Sequence, residues 1–151
     1  MNAPESITAS VLRRRAEAGD LWLPTSGASM GSRYPLGSRL LVRPSREAPR
    51  LGEIWAFVDA EDRVVVHRCV WNRSDHAFRF RGDAVCSLDP PVATSHLIGR
   101  VIEVDDGVQR WSPRVWHAVS PTVKAFARAA RARLRRVRHS VPSSLRQAGR
   151  K

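Results

Sequence analysis

The chain of 151 residues is nearly without lysine. Its two lysines, Lys124 and Lys151, both lie toward the C-terminal end, so the greater part of the chain has no amine to act as base or nucleophile. Cysteine is equally scarce: Cys69 and Cys86 are the only two, without a Cys-x-x-Cys pair or a Cys/His cluster at ligand spacing. That excludes a disulfide framework and leaves no metal site and no implied cofactor. Both thiols read as small half-buried residues in strands, as free cysteines often are. Long apolar runs are missing too. No stretch approaches the roughly 18–20 apolar residues of a spanning helix. Arg13-Arg14-Arg15 is not followed by the apolar core of a signal peptide. The expected location is cytoplasmic, or peripheral on the inner face of a membrane. Acid is absent from the last 45 positions. Residues 1–106 hold 14 Arg and 14 Asp plus Glu, whereas residues 107–151 hold 12 Lys plus Arg and no acid, so the net charge of +12 lies entirely in the tail. A neutral domain with such a tail points to anionic surfaces as the tail's partners.

What is present reads as short strands. Thr8 or Ser10 is expected to cap a helix running to about Ala18, with Gly19 stopping it. Leu21-Trp22-Leu23 is a short apolar strand leading into a turn-like stretch from Thr25 to Met30. Arg39–Arg43, Glu53–Val58, Arg63–Trp71, Ala77–Arg81 and Leu97–Val104 follow as strands. Asp59–Asp62, Asn72–Asp75 and Asp105-Asp106-Gly107 are the turns, and Pro44–Leu51 and Asp89-Pro90-Pro91 are loops. The pattern predicts a mainly β fold, a sandwich or a partly open barrel, over residues 21–106. Residues 1–20 form a helical lead-in. In the tail, Ser120 and Pro121 suit a helix start. Val123, Phe126, Ala127, Ala130, Leu134 and Val137 then fall on one face of an amphipathic helix over about 121–139.

Chemistry gathers in three stretches: Ser26-Gly27-Ala28-Ser29-Met30, Val66-His67-Arg68, and Arg81-Gly82-Asp83 with Asp89 beyond it. A hydroxyl nucleophile needs a base to take its proton and an acid to orient the base. Ser29, His67 and Asp89 supply these in chain order, with Asp83 as the rival for the third place. Arg68 is a candidate to pair with a carboxylate such as Asp83. A histidine base has an ordinary pKa near 6.5, so it is neutral at pH 7 without deep burial.

Gly27-Ala28-Ser29-Met30, followed by Gly37-Ser38-Arg39-Leu40-Leu41-Val42, resembles the nucleophile box of the type I signal peptidases and the self-cleaving SOS repressors. Leu51-Gly52-Glu53-Ile54-Trp55-Ala56-Phe57 is similar to their next box, and Arg81-Gly82-Asp83-Ala84 to their Gly-Asp-Asn box. Leu97-Ile98-Gly99-Arg100-Val101 resembles their closing strand. The likeness spans about residues 21–104, with the boxes in register. His67-Arg68 in place of a lysine resembles the archaeal and endoplasmic-reticulum branch, where a following aspartate, matched here by Asp89, supports the histidine. The stretch from Arg81 to Val92 is similar to small soluble bacterial members of this clan. The resemblance implies a serine endopeptidase that cleaves a precursor or leader peptide. It implies an oxyanion hole from the Ser29 backbone N–H and a second donor. The family's serine two residues before the nucleophile is Gly27 here, so Ser26 or a backbone group takes that place, with Asp83 as a supporting residue. Gly31-Ser32 replaces the family's usual proline, and Ser38 replaces its aspartate.

Two other classes compete. A DNA-binding regulator with a repressor-like β-domain needs a helix-turn-helix, and about 20 residues before Leu21 are too few. An inactive relative would keep the fold as a binding module. For the tail, three partners are open: its own β-domain, an anionic membrane surface, or nucleic acid. Nucleic acid is the poorest fit, because the neutral domain lacks an interleaved basic and aromatic surface.

Overall fold

The structure is a computed structural model, and it describes residues 6–74, 77–113 and 115. The fold is mainly β: one antiparallel sheet curled into a half-barrel, with a short helix at its start. Helix α1 runs Ile7–Glu17. The strands are β1 (Leu21–Pro24), β2 (Arg39–Arg43), β3 (Ile54–Val58), β4 (Val64–Ser74), β5 (Ala77–Arg81), β6 (Val92–Ala93), β7 (Leu97–Asp105) and β8 (Arg110–Trp111). Their spatial order is β1-β2-β7-β3-β4-β5-β6, and β8 pairs with β7.

The helix starts earlier than Thr8 or Ser10. Ser6 is the cap, its hydroxyl accepting the Ala9 N–H at 3.1 Å. The Thr8 hydroxyl instead donates to Asp62 at 2.8 Å, tying the helix to the β3–β4 turn. Arg13 fixes the helix further, donating to the Leu97 and Ser95 carbonyls.

Strand β3 is the centre of the packing, and all five of its residues are buried. Alternation sends Ile54, Ala56 and Val58 to one face, where they join Leu40, Val42, Ile98 and Ala9. Trp55 and Phe57 go to the other face with Phe78, Phe80, Cys69 and Leu97. Phe57 and Phe80 stack with ring centroids 4.7 Å apart. Glycine at position 99 lets β7 lie against β2, since a Cβ there would run into the Arg43 carbonyl.

The expected turn at Asn72–Asp75 is not seen at positions 72–74. Strand β4 continues through Ser74, with register shifts against β5 between Cys69 and Trp71 and again between Trp71 and Ser74. Pairing with β5 keeps this polar stretch extended. The sheet also runs past residue 106, because β8 returns from the Asp105–Gly107 turn to pair Trp111 with Val104. Of the two cysteines expected half-buried in strands, Cys69 is in a strand but fully buried, and Cys86 is in neither setting. Cys69 is buried in β4, whereas Cys86 is exposed in the loop after β5, and both are free thiols. The amphipathic stretch 121–139 lies outside the described residues.

Candidate active site

Three segments converge on His67. It sits on β4 opposite Trp55 of β3, and its side chain is largely buried. Its ring meets the Phe57 ring edge-on, with centroids 6.3 Å apart. Pairing with β5 begins only at Arg68, so the Val64–His67 edge away from β3 faces the Ser29 segment instead.

Ser29 comes to that edge from the loop between β1 and β2. The loop is held at its root by Thr25, whose N–H donates to the Ser38 carbonyl at 2.8 Å and whose hydroxyl reaches the Pro35 carbonyl at 2.8 Å. Ser29 sits inside a tight turn closed by the Gly31 N–H on the Ala28 carbonyl, and a second turn follows with the Tyr34 N–H on the Gly31 carbonyl. Gly31 has φ +74°, a conformation most side chains resist. That accounts for glycine at this position.

Asp89 arrives from the loop after β5. Its N–H donates to the Phe80 carbonyl at 3.0 Å, and its own carbonyl accepts from Arg79 at 3.2 Å. These contacts pin the loop while the carboxylate points at the histidine.

The result is a continuous relay. Ser29 Oγ lies 2.8 Å from His67 Nε2, and His67 Nδ1 lies 2.6 Å from Asp89 Oδ2. With Nδ1–H donated to the carboxylate, Nε2 carries the free lone pair, the tautomer able to take the serine proton. The structure therefore brings Ser29, His67 and Asp89 together as the sequence reading expects.

Asp83 stands apart from this relay. Its two oxygens take a forked pair of hydrogen bonds from Arg68, at 2.8 Å from Nε and 2.6 Å from Nη2. The third guanidinium nitrogen donates to the Gly52 carbonyl at 2.8 Å. Arg68 is almost wholly buried. Burial opposes its charge, yet the Asp83 carboxylate outweighs that and raises the guanidinium above its ordinary value. The neighbouring Tyr34 phenol is also raised, chiefly by burial. Asp83 thus holds Arg68, and the carboxylate that meets His67 is that of Asp89.

Gly82 is the residue whose role sequence reasoning missed. A Cβ there would lie 2.5 Å from the Ser29 carbonyl oxygen and 3.0 Å from His67 Nε2. The Ala84 N–H donates to that same Ser29 carbonyl at 2.8 Å. The backbone of the Gly82–Ala84 turn therefore seats Ser29 against His67. Only a residue without a side chain permits the approach, and the Gly-Asp pair was the signal for it.

Ser26 is exposed and makes no hydrogen bond to the relay among the described residues; it lines the groove beside Ser29. The Ser29 backbone N–H has no hydrogen-bond partner among the described residues. The buried hydroxyl of Ser38 is without a partner among the described residues.

Two hollows flank His67. One, of about 420 Å³, runs beside Ser29, with Met30, Tyr34 and Leu40 among its walls. The other, of about 330 Å³, opens beside Asp89. Val65 and Arg63 line both. No cluster of His, Cys, Asp or Glu among the described residues has the form of a metal site. No described helix is long and apolar enough to cross a membrane. No protein-family model matches the chain, and no curated protein matches it.

Proposed function

We propose that the protein is a serine endopeptidase of the signal-peptidase-like kind, acting on a precursor or leader peptide. The observation that carries this reading is the relay of 2.8 and 2.6 Å from Ser29 Oγ through His67 to Asp89. His67 Nε2 takes the hydroxyl proton as Ser29 Oγ attacks a peptide carbonyl. The Asp89 carboxylate holds the ring and stabilises the imidazolium that forms. The imidazolium then gives its proton to the departing amine, and water repeats the sequence to release the acyl group.

The free Ser29 N–H is the first oxyanion donor in this reading, and the nearby Ser26 hydroxyl, on the groove wall, is the second. The open Val64–Val66 edge offers backbone groups to an extended peptide lying along the groove. The walls from Met30, Tyr34 and Leu40 favour an apolar side chain on the acyl side.

A fluorophosphonate probe tests the reading. The expected result is a single adduct on Ser29, mapped by mass spectrometry and absent from Ser29→Ala and His67→Ala. An unlabelled protein, in a reaction where another peptidase of this mechanism labels, would favour the inactive binding module instead.

A further inference from the structure

We infer that the hollow beside Asp89 receives the first side chain on the leaving-group side of the cleaved bond, and that this side chain is apolar. The inference rests on the peptidase reading and goes beyond it by assigning a second subsite.

The position follows from proton transfer. The proton that His67 Nε2 takes from Ser29 must pass to the leaving amine, so the amine departs over the imidazole ring. From Ser29, the ring leads directly to the hollow lined by His67 and Asp89. Val65 borders both hollows, so a peptide crossing the reacting bond passes over Val65 from one into the other.

The preference follows from what lines the hollow. Phe57, Val65, Pro90, Pro91 and Val92 provide its apolar walls. The carboxylates at its rim are already engaged. Asp59 accepts from the Glu61 N–H, the Arg63 N–H and Arg63 Nε at 2.9–3.0 Å, and Glu61 accepts from Arg63 Nη2 at 3.0 Å. A substrate cation would have to displace Arg63 to reach them. An apolar side chain displaces nothing, and it covers surface that water otherwise wets. The volume of about 330 Å³ is ample for a leucine or phenylalanine side chain.

Acyl transfer isolates this subsite, because it runs the cleavage step backwards. A 4-nitrophenyl ester of an N-acylated apolar amino acid acylates Ser29 Oγ, and 4-nitrophenol leaves with the serine proton. An added amino-acid amide then attacks the ester carbonyl. Its proton passes to His67, a peptide bond forms, and Ser29 recovers its hydroxyl. Leucinamide and phenylalaninamide are expected to capture the acyl group at least about tenfold better than glycinamide or argininamide. Ala60→Leu and Ala93→Leu narrow the hollow from its rim and from β6. Both are expected to abolish that advantage while ester hydrolysis stays unchanged. Ala60 is exposed, so its variant keeps the fold intact. Equal capture of glycinamide, preferred capture of argininamide, or an advantage that survives both variants would overturn the assignment. Absence of any Ser29 ester would instead overturn the peptidase reading, so the two failures are distinct.

Discussion

Gly82 shows how little space surrounds Ser29 and His67. Its backbone passes where a Cβ would press on the Ser29 carbonyl and on His67 Nε2. Gly82→Ala must therefore push the serine or the ring off its hydrogen bond. A displacement of this kind near the chemistry costs about 10²-fold in rate. Steady-state cleavage of a peptide substrate is expected to show that loss in kcat, while circular dichroism keeps its β signature. The two aspartates make a second contrast at this scale. Asp89→Asn keeps the shape but favours the wrong imidazole tautomer, with an expected fall in kcat on the order of 10⁴-fold. Asp83→Asn leaves the relay untouched and weakens only the buried fork to Arg68. It is expected to lower the urea midpoint while retaining most of the activity. Paired measurements of kcat and urea midpoint on these variants check the division of roles, and a reversed pattern would assign the support to Asp83.

Among the elements, β3 and the segment before it hold a charge inside the sheet. Glu53 is buried, and burial alone would raise its carboxyl. Hydrogen bonds from the Arg50 N–H, Trp55 Nε1 and Arg100 outweigh that and lower it below its ordinary value of 4.5. A carboxyl lowered on folding stabilises the folded state above its unfolded value, and that contribution is lost as pH falls through the folded one. Urea unfolding from pH 6 downward is therefore expected to show stability dropping below about 4.5, with a shallower drop in Glu53→Gln. An unchanged slope would remove Glu53 from the acid response. Strand positions at this scale were legible in the sequence because alternation or a short apolar run between basic residues marks them. Arg39–Arg43 and Ala77–Arg81 fall where their patterns predict. The extension of β4 through Ser74 was hidden, since Asn72-Arg73-Ser74 carries turn-like residues and only pairing with β5 keeps it extended. Two-residue strands such as β6 and β8 have no period to read. The relay residues were legible through their neighbours. The seating role of Gly82 was not, because the Gly-Asp pair marks a glycine without showing which distant segment comes close to it.

At the scale of the whole molecule, charge separates into two parts. Residues 1–106 are neutral by count, and the net charge of +12 resides in residues 107–151, of which Arg110 still belongs to the sheet. A peptidase whose substrate lies at a membrane gains from being concentrated there, and a basic segment supplies that attraction at about 1 kcal/mol per Lys or Arg near an anionic surface. The attraction is Coulombic, so it must weaken as the Debye length shrinks from about 10 Å at 0.1 M salt to about 3 Å at 1 M. The full chain is expected to sediment with vesicles containing phosphatidylserine at low salt and to be released at high salt. It should not sediment with vesicles of phosphatidylcholine alone. A chain ending at residue 118 keeps the whole relay and both hollows but loses ten of the basic residues, counted from Lys124 to Lys151. It is expected to lose vesicle binding and to retain fluorophosphonate labelling of Ser29. Binding to neutral vesicles, or binding that persists in 1 M salt, would mean that apolar insertion rather than charge holds the protein. Preferential binding to duplex DNA by the full chain would reassign the basic segment to nucleic acid while leaving the chemistry of the relay where it is.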